Sequence, residues 1–109
     1  MYKFKSRVTG DLIMLEPNGR LLLKIIGKLD VDTPGKGILL PQDMPTAILA
    51  LEKAIIEEEQ KRILREEEAL QAGETVPAPE GISLRLRVLP FIDMAKRCMH
   101  AGKEIVWGV

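Results

Sequence analysis

Cys98 and His100 are the one pair of side chains in this 109-residue chain whose types suggest a nucleophile and its base. Two residues apart on a helix they point about 200° away from each other, so they cannot meet. Cys98 reads instead as a small apolar group packed in a core. One His and one Cys give no set of soft ligands for zinc. Runs such as Glu57-Glu58-Glu59 lack the turn glycine and alternating oxygens of a calcium loop. No catalytic residue, metal site or cofactor is expected. A thin candidate for an anion site is Asn18, Gly19 and Arg20, where a helix start, its free N–H groups and an arginine would converge. A single glycine without the spacing of a phosphate loop makes a plain turn and cap the simpler reading.

Lys3, Lys5 and Arg7 alternate with Tyr2, Phe4, Ser6 and Val8, the period-two pattern of a strand with one wet face. Basic and aromatic residues on a sheet can bind nucleic acid, but here they project from opposite faces, so phosphate contact and base stacking cannot share a surface. A solvated sheet face is the better account, and no nucleic-acid partner is expected. Trp107 is read as core, with an indole N–H that needs one acceptor.

The element that must position everything else runs from Gln42 to Ala72, within the longest span without Gly. Met44, Ala47, Ile48, Leu51 and Ile55 recur at steps of three and four and put one apolar stripe on a helix. From Glu57 to Glu68 that stripe fades, and Ile63 and Leu64 are the only apolar residues. A second, thinner stripe of Leu49, Ile56, Ile63 and Leu70 is spaced by sevens and rotated about 100° from the first. Ile56, Ile63, Leu64 and Leu70 are therefore candidates for an interaction surface, covered by the helix after Ser83 folding back, or by the same helix of a second chain as a homodimer. A continuous helix over this span would be about 46 Å long, so part of it must protrude or bend. Pairs such as Glu57 with Lys61 and Arg62 with Glu66 would add only a few tenths of a kcal/mol each.

Around that helix the chain alternates strand and helix signals. Tyr2 to Arg7 and Leu12 to Leu15, joined at Thr9-Gly10-Asp11, read as a hairpin whose second strand is the more buried. Pro17 sits in the first turn of a helix with Leu21, Leu22, Ile25 and Ile26 as its stripe and Gly27 as its stop. Ile38-Leu39-Leu40 reads as a short strand, and Asp43 as the N-cap of the long helix. Pro77 and Pro79 make residues 73–82 a flexible connector. Ser83 caps a last helix whose face is Leu84, Val88, Phe91, Ile92, Ala95, Cys98 and Met99, with a kink or break at Pro90 and a stop at Gly102. Ile105 to Trp107 closes the chain as a strand. The result is a single α+β domain over residues 1–109, a small, mainly antiparallel sheet covered on one side by three helices.

Apolar content of 46% and charged content of 29% fit a globular domain. The net charge is zero, but the balance is +3 over residues 1–41, −6 over 42–80 and +3 over 81–109. A lone cysteine fits a reducing compartment, and neither an apolar signal core nor an uncharged run of membrane-spanning length is present, so the expected address is the cytoplasm.

Gly-Asp-Leu-Ile-Met-Leu-Glu-Pro-Asn-Gly-Arg at 10–20, Asp-Met-Pro-Thr-Ala-Ile at 43–48 and Ala-Gly-Lys-Glu-Ile-Val-Trp-Gly-Val at 101–109 give the chain a likeness to a known group. It resembles a family of small uncharacterised proteobacterial proteins classed as a domain of unknown function. The likeness implies a small bacterial cytoplasmic protein and carries no activity, cofactor or site residue with it. The residues themselves favour a non-catalytic interaction or regulatory protein that uses the acidic helix as contact surface. The competing class is a small-ligand-binding domain or enzyme whose pocket is invisible in sequence.

Overall fold

The computed structural model describes residues 1–29, 35–74 and 83–108. These form a four-stranded antiparallel sheet and three helices, an α+β fold. The expected connector over residues 73–82 lies, beyond Glu74, outside the described residues.

β1 (Tyr2–Lys5) pairs with β2 (Leu12–Met14) in the expected hairpin, with Lys3 opposite Ile13. On its other side β1 pairs with β4 (Ile105–Trp107), which in turn pairs with β3 (Gly37–Leu39), giving the order β2-β1-β4-β3. This corrects the reading that the second strand is the more buried. β2 is an edge strand with Ile13 exposed, as is Leu15 just after it, whereas β1 has a neighbour on each side and buries Tyr2 and Phe4. Alternation then divides the sheet. Tyr2, Phe4, Met14, Leu39, Ile105 and Trp107 face the core, while Lys3, Ile13 and Ile38 face out. Edge-on contacts of Phe4 with Phe91 at 5.0 Å and with Trp107 at 5.7 Å, centroid to centroid, tie the two central strands to the helical layer.

α1 (Glu16–Ile25) has Pro17 in its first turn and buries Leu22 and Leu23, with Leu21 partly out, so its face is turned from the expected one. The long helix begins with a 3-10 turn at Pro41–Asp43 and continues as α2 (Met44–Gln71). Asp43 does not cap it with its side chain, because its own backbone is already helical at φ −93°, ψ −11°. α2 spans about 42 Å at 1.5 Å per residue. The molecule is correspondingly elongated, 52 × 27 × 23 Å, with a radius of gyration of 16.1 Å where a compact chain of this length has about 13 Å.

α3 (Leu84–Ala101) is capped as expected, the Ser83 hydroxyl accepting the Leu86 N–H at 3.3 Å, and ends at Gly102, whose φ of +66° suits glycine. It runs unbroken through Pro90. The carbonyl that Pro90 deprives of a donor belongs to Leu86, and both residues lie on the solvent side, where water can serve it. Val88, Phe91, Ile92, Met94, Ala95 and Cys98 face the core and pack with Met44, Ala47, Ile48, Leu51 and Ile55 of α2. Among the described residues no helix is long and apolar enough to cross a membrane.

Candidate functional site

α2 leaves the body of the protein near Ile55. That residue is the last buried one on the helix, and none of residues 57–71 is buried. Ile56, Ile63, Leu64 and Leu70 are 52%, 54%, 54% and 66% exposed, and Leu49 is 67% exposed. The two stripes inferred from sequence are thus physically distinct, the first in the core and the second open along one flank.

α3 runs back along α2 and meets the arm only near its start. Its first turn reaches α2 at Glu59, where Arg85 donates two hydrogen bonds to the carboxylate, Nε to Oε2 at 3.2 Å and Nη2 to Oε1 at 2.8 Å. This forked pair is well matched in geometry. The guanidinium hydrogen bond and charge of Arg85 hold the Glu59 carboxyl below its ordinary value, and Glu59 raises Arg85 in return. The expectation that α3 covers Ile63, Leu64 and Leu70 as a hairpin is therefore not met. Within the arm Arg62 reaches back to Glu58 at 3.2 Å, one turn earlier, rather than forward to Glu66.

Leu89 of α3, also half-exposed, lies on the same side of that helix as Arg85. Because Arg85 meets α2 on the flank that carries Ile56, the flank of α2 and the flank of α3 form one open face with Leu49, Ile56 and Leu89 on it. Lys53 borders this stripe on α2, and Lys96 lies three turns along α3 from Arg85 on the same side.

Asn18, Gly19 and Arg20 do not form an anion cradle in this arrangement. The helix starts at Glu16, so the Gly19 N–H is already bonded to the Leu15 carbonyl at 3.0 Å, Pro17 has no N–H, and the Glu16 carboxylate sits in the first turn. Gly19 has a packing reason instead, since a Cβ there would collide with the Tyr2 ring. Gly37 answers Trp107 in the same way, its position opposite Trp107 leaving room for the indole. The indole Nε1 has no hydrogen-bond partner among the described residues.

Cys98 is fully buried and His100 is exposed, so the two do not meet. The thiol lies 3.0 Å from the Ser6 hydroxyl, a partner that the inward phase of Tyr2, Phe4 and Ser6 implied but that sequence reading did not join to Cys98. On the outer sheet surface Lys3 pairs with Asp11 at 3.6 Å and Arg7 with Glu104 at 3.7 Å. Among the described residues no group of three His, Cys, Asp or Glu could hold a metal ion. A shallow cleft of about 260 Å³ lies between the Thr9-Gly10-Asp11 turn and α3, where Asp93 and Arg97 line it with Pro90 and Met94. Asp11, Asp93 and Arg97 are all exposed, so the cleft has no desolvated polar group.

No curated protein and no solved structure matches the chain. A family match does extend over residues 1–107, which spans every element of the sheet and all three helices. The chain therefore belongs to the family described as Domain of unknown function (DUF1840).

Proposed function

We propose that this protein is a small non-catalytic interaction or regulatory protein whose long acidic helix is its contact surface. One observation supports the reading: α2 carries Ile56, Ile63, Leu64 and Leu70 half or more exposed on a stretch that buries no residue at all. An apolar stripe of this kind, rimmed by charge, is the usual mark of a surface that meets a partner. The charges around it, Glu57 to Glu59 and Glu66 to Glu68, keep the arm in water until that meeting. The proposed setting is the cytoplasm, with a protein partner and no nucleic acid. A buried single thiol and outer sheet lysines separated from the aromatic face agree with it.

The test is co-purification from cells with partners identified by mass spectrometry, comparing the parent with Ile63→Glu/Leu70→Glu. Loss of the co-purifying proteins with unchanged melting temperature is expected. An identical set of partners would end the proposal. A second reading, a small-ligand site, is favoured only by the cleft that Asp93 and Arg97 line. Asp93→Ala/Arg97→Ala tests it through loss of a bound metabolite.

A further inference from the structure

We propose that the occupant of the open α2 stripe is a second copy of this chain, laid antiparallel with the two-fold axis beside Gln60. The inference rests on the reading of the arm as a contact surface and names its partner. Its first support is register. Leu49, Ile56, Ile63 and Leu70 are placed symmetrically about the midpoint between Ile56 and Ile63. Reversing one copy about that point sets Leu49 against Leu70 of the other and Ile56 against Ile63, so every exposed residue of the stripe meets another.

The second support is charge. A parallel pair would stack Glu57-Glu58-Glu59 on the same three residues and Glu66-Glu67-Glu68 on theirs. The antiparallel pair sets Glu57-Glu58-Glu59 beside Gln60-Lys61-Arg62 instead, and brings Glu66 to Glu68 alongside Leu51 to Lys53. There Lys53 borders the stripe on one side and Lys96 of α3 on the other. The acidic tip of each arm is thus received beside Lys53 and Lys96 of the other copy, and Glu52 with Glu67 is the one like-charge pair that the antiparallel register between Leu49 and Leu70 leaves, against the six glutamates that the parallel one stacks on themselves. The third support is the uneven coverage of α2 itself. Arg85 meets α2 at Glu59 and none of residues 57–71 is buried, so this length of helix draws little support from a core, and the antiparallel partner offers its flank over it.

The contact is isologous, closes as a dimer and involves few aliphatic side chains per copy, which places it among the weaker, concentration-dependent interfaces. The experiment has two parts. Mass by sedimentation over a range of concentrations should rise from 12.2 kDa towards twice that value, and Ile63→Glu/Leu70→Glu should abolish the rise while the melting temperature in dilute solution stays put. Disulfide trapping then reads the register. Gln60→Cys should cross-link to itself on mild oxidation, because the axis passes beside it, whereas Glu67→Cys, whose counterpart is Glu52 of the other copy, should not.

A chain that keeps the monomer mass at every concentration overturns this inference while leaving a different protein partner open to the co-purification test. A dimer in which Glu67→Cys couples to itself overturns the antiparallel register. A dimer untouched by Ile63→Glu/Leu70→Glu overturns the surface.

Discussion

Over Met44 to Ile55, α2 buries five side chains against the sheet and α3; over residues 57–71 the same helix buries none. Both stretches are rich in helix-forming residues, so propensity does not separate them. What separates them is the period of the apolar residues. In the first half they recur at three and four and generate one face; in the second they thin to Ile63, Leu64, Ala69 and Leu70, too few for a face, and the helix is held by its own hydrogen bonds and by ion pairs such as Glu58 with Arg62. The comparison teaches that continuity of a helix is not continuity of stability. A core can end in the middle of an element, and what lies beyond is free to act as a surface.

The most direct way to break this comparison is to make one substitution in each half. Leu51→Ala removes a fully buried side chain and should cost about 2–5 kcal/mol in urea unfolding. Leu64→Ala, at a residue 54% exposed, should stay within about 0.5 kcal/mol in dilute solution. Comparable costs at the two sites would mean that the arm belongs to the cooperative core.

A proline sharpens the same point. Inside a helix that folds with its protein, proline costs about 3 kcal/mol or more. At Arg65, in the arm, Arg65→Pro should lower helical circular dichroism by the share of the arm and hardly move the melting temperature. A fall in melting temperature like that of Leu51→Ala would place the boundary of the core beyond residue 65.

The division within α2 was legible in sequence because it depends on local periodicity, and so were the Ser83 cap, the Gly102 stop and the inward phase of Tyr2 and Phe4. What escaped depends on which elements become neighbours. The hydropathy of Leu12 to Leu15 is that of a buried strand, yet β2 ends up at an edge, because β4 takes the place on the far side of β1. Gly19 read as part of a plain turn and cap, with a thin claim to an anion site. Its reason is the Tyr2 ring, seventeen positions earlier in the chain and adjacent only after folding. Ser6 with Cys98 and Gly37 with Trp107 are contacts of the same kind. The stripe of the candidate surface was likewise visible as spacing, but its exposure was not, since the sequence put a fold-back of α3 over the arm ahead of a second chain. The Glu59–Arg85 pair decides that question by showing where α3 begins its cover.

The smallest expected effect sits at that boundary. Arg85 holds the Glu59 carboxyl below its ordinary value of 4.5, chiefly through the hydrogen bond between them. A group whose folded value is depressed stabilises the fold fully above its unfolded value and ceases to do so as pH falls through the folded one. Parent and Arg85→Met should therefore differ in stability at neutral pH and converge as the pH drops below about 4.5, the sign being loss on acidification. The difference should be slight and should shrink with salt, because both side chains are open to solvent. Amide exchange gives the second readout: without the pair, protection along α2 should end about one turn earlier, before Glu59. A stability difference that persists unchanged in acid would assign the contribution of Arg85 to its aliphatic stem lying on α2. In that case packing, and not the ion pair, would mark the point where the core lets the helix go.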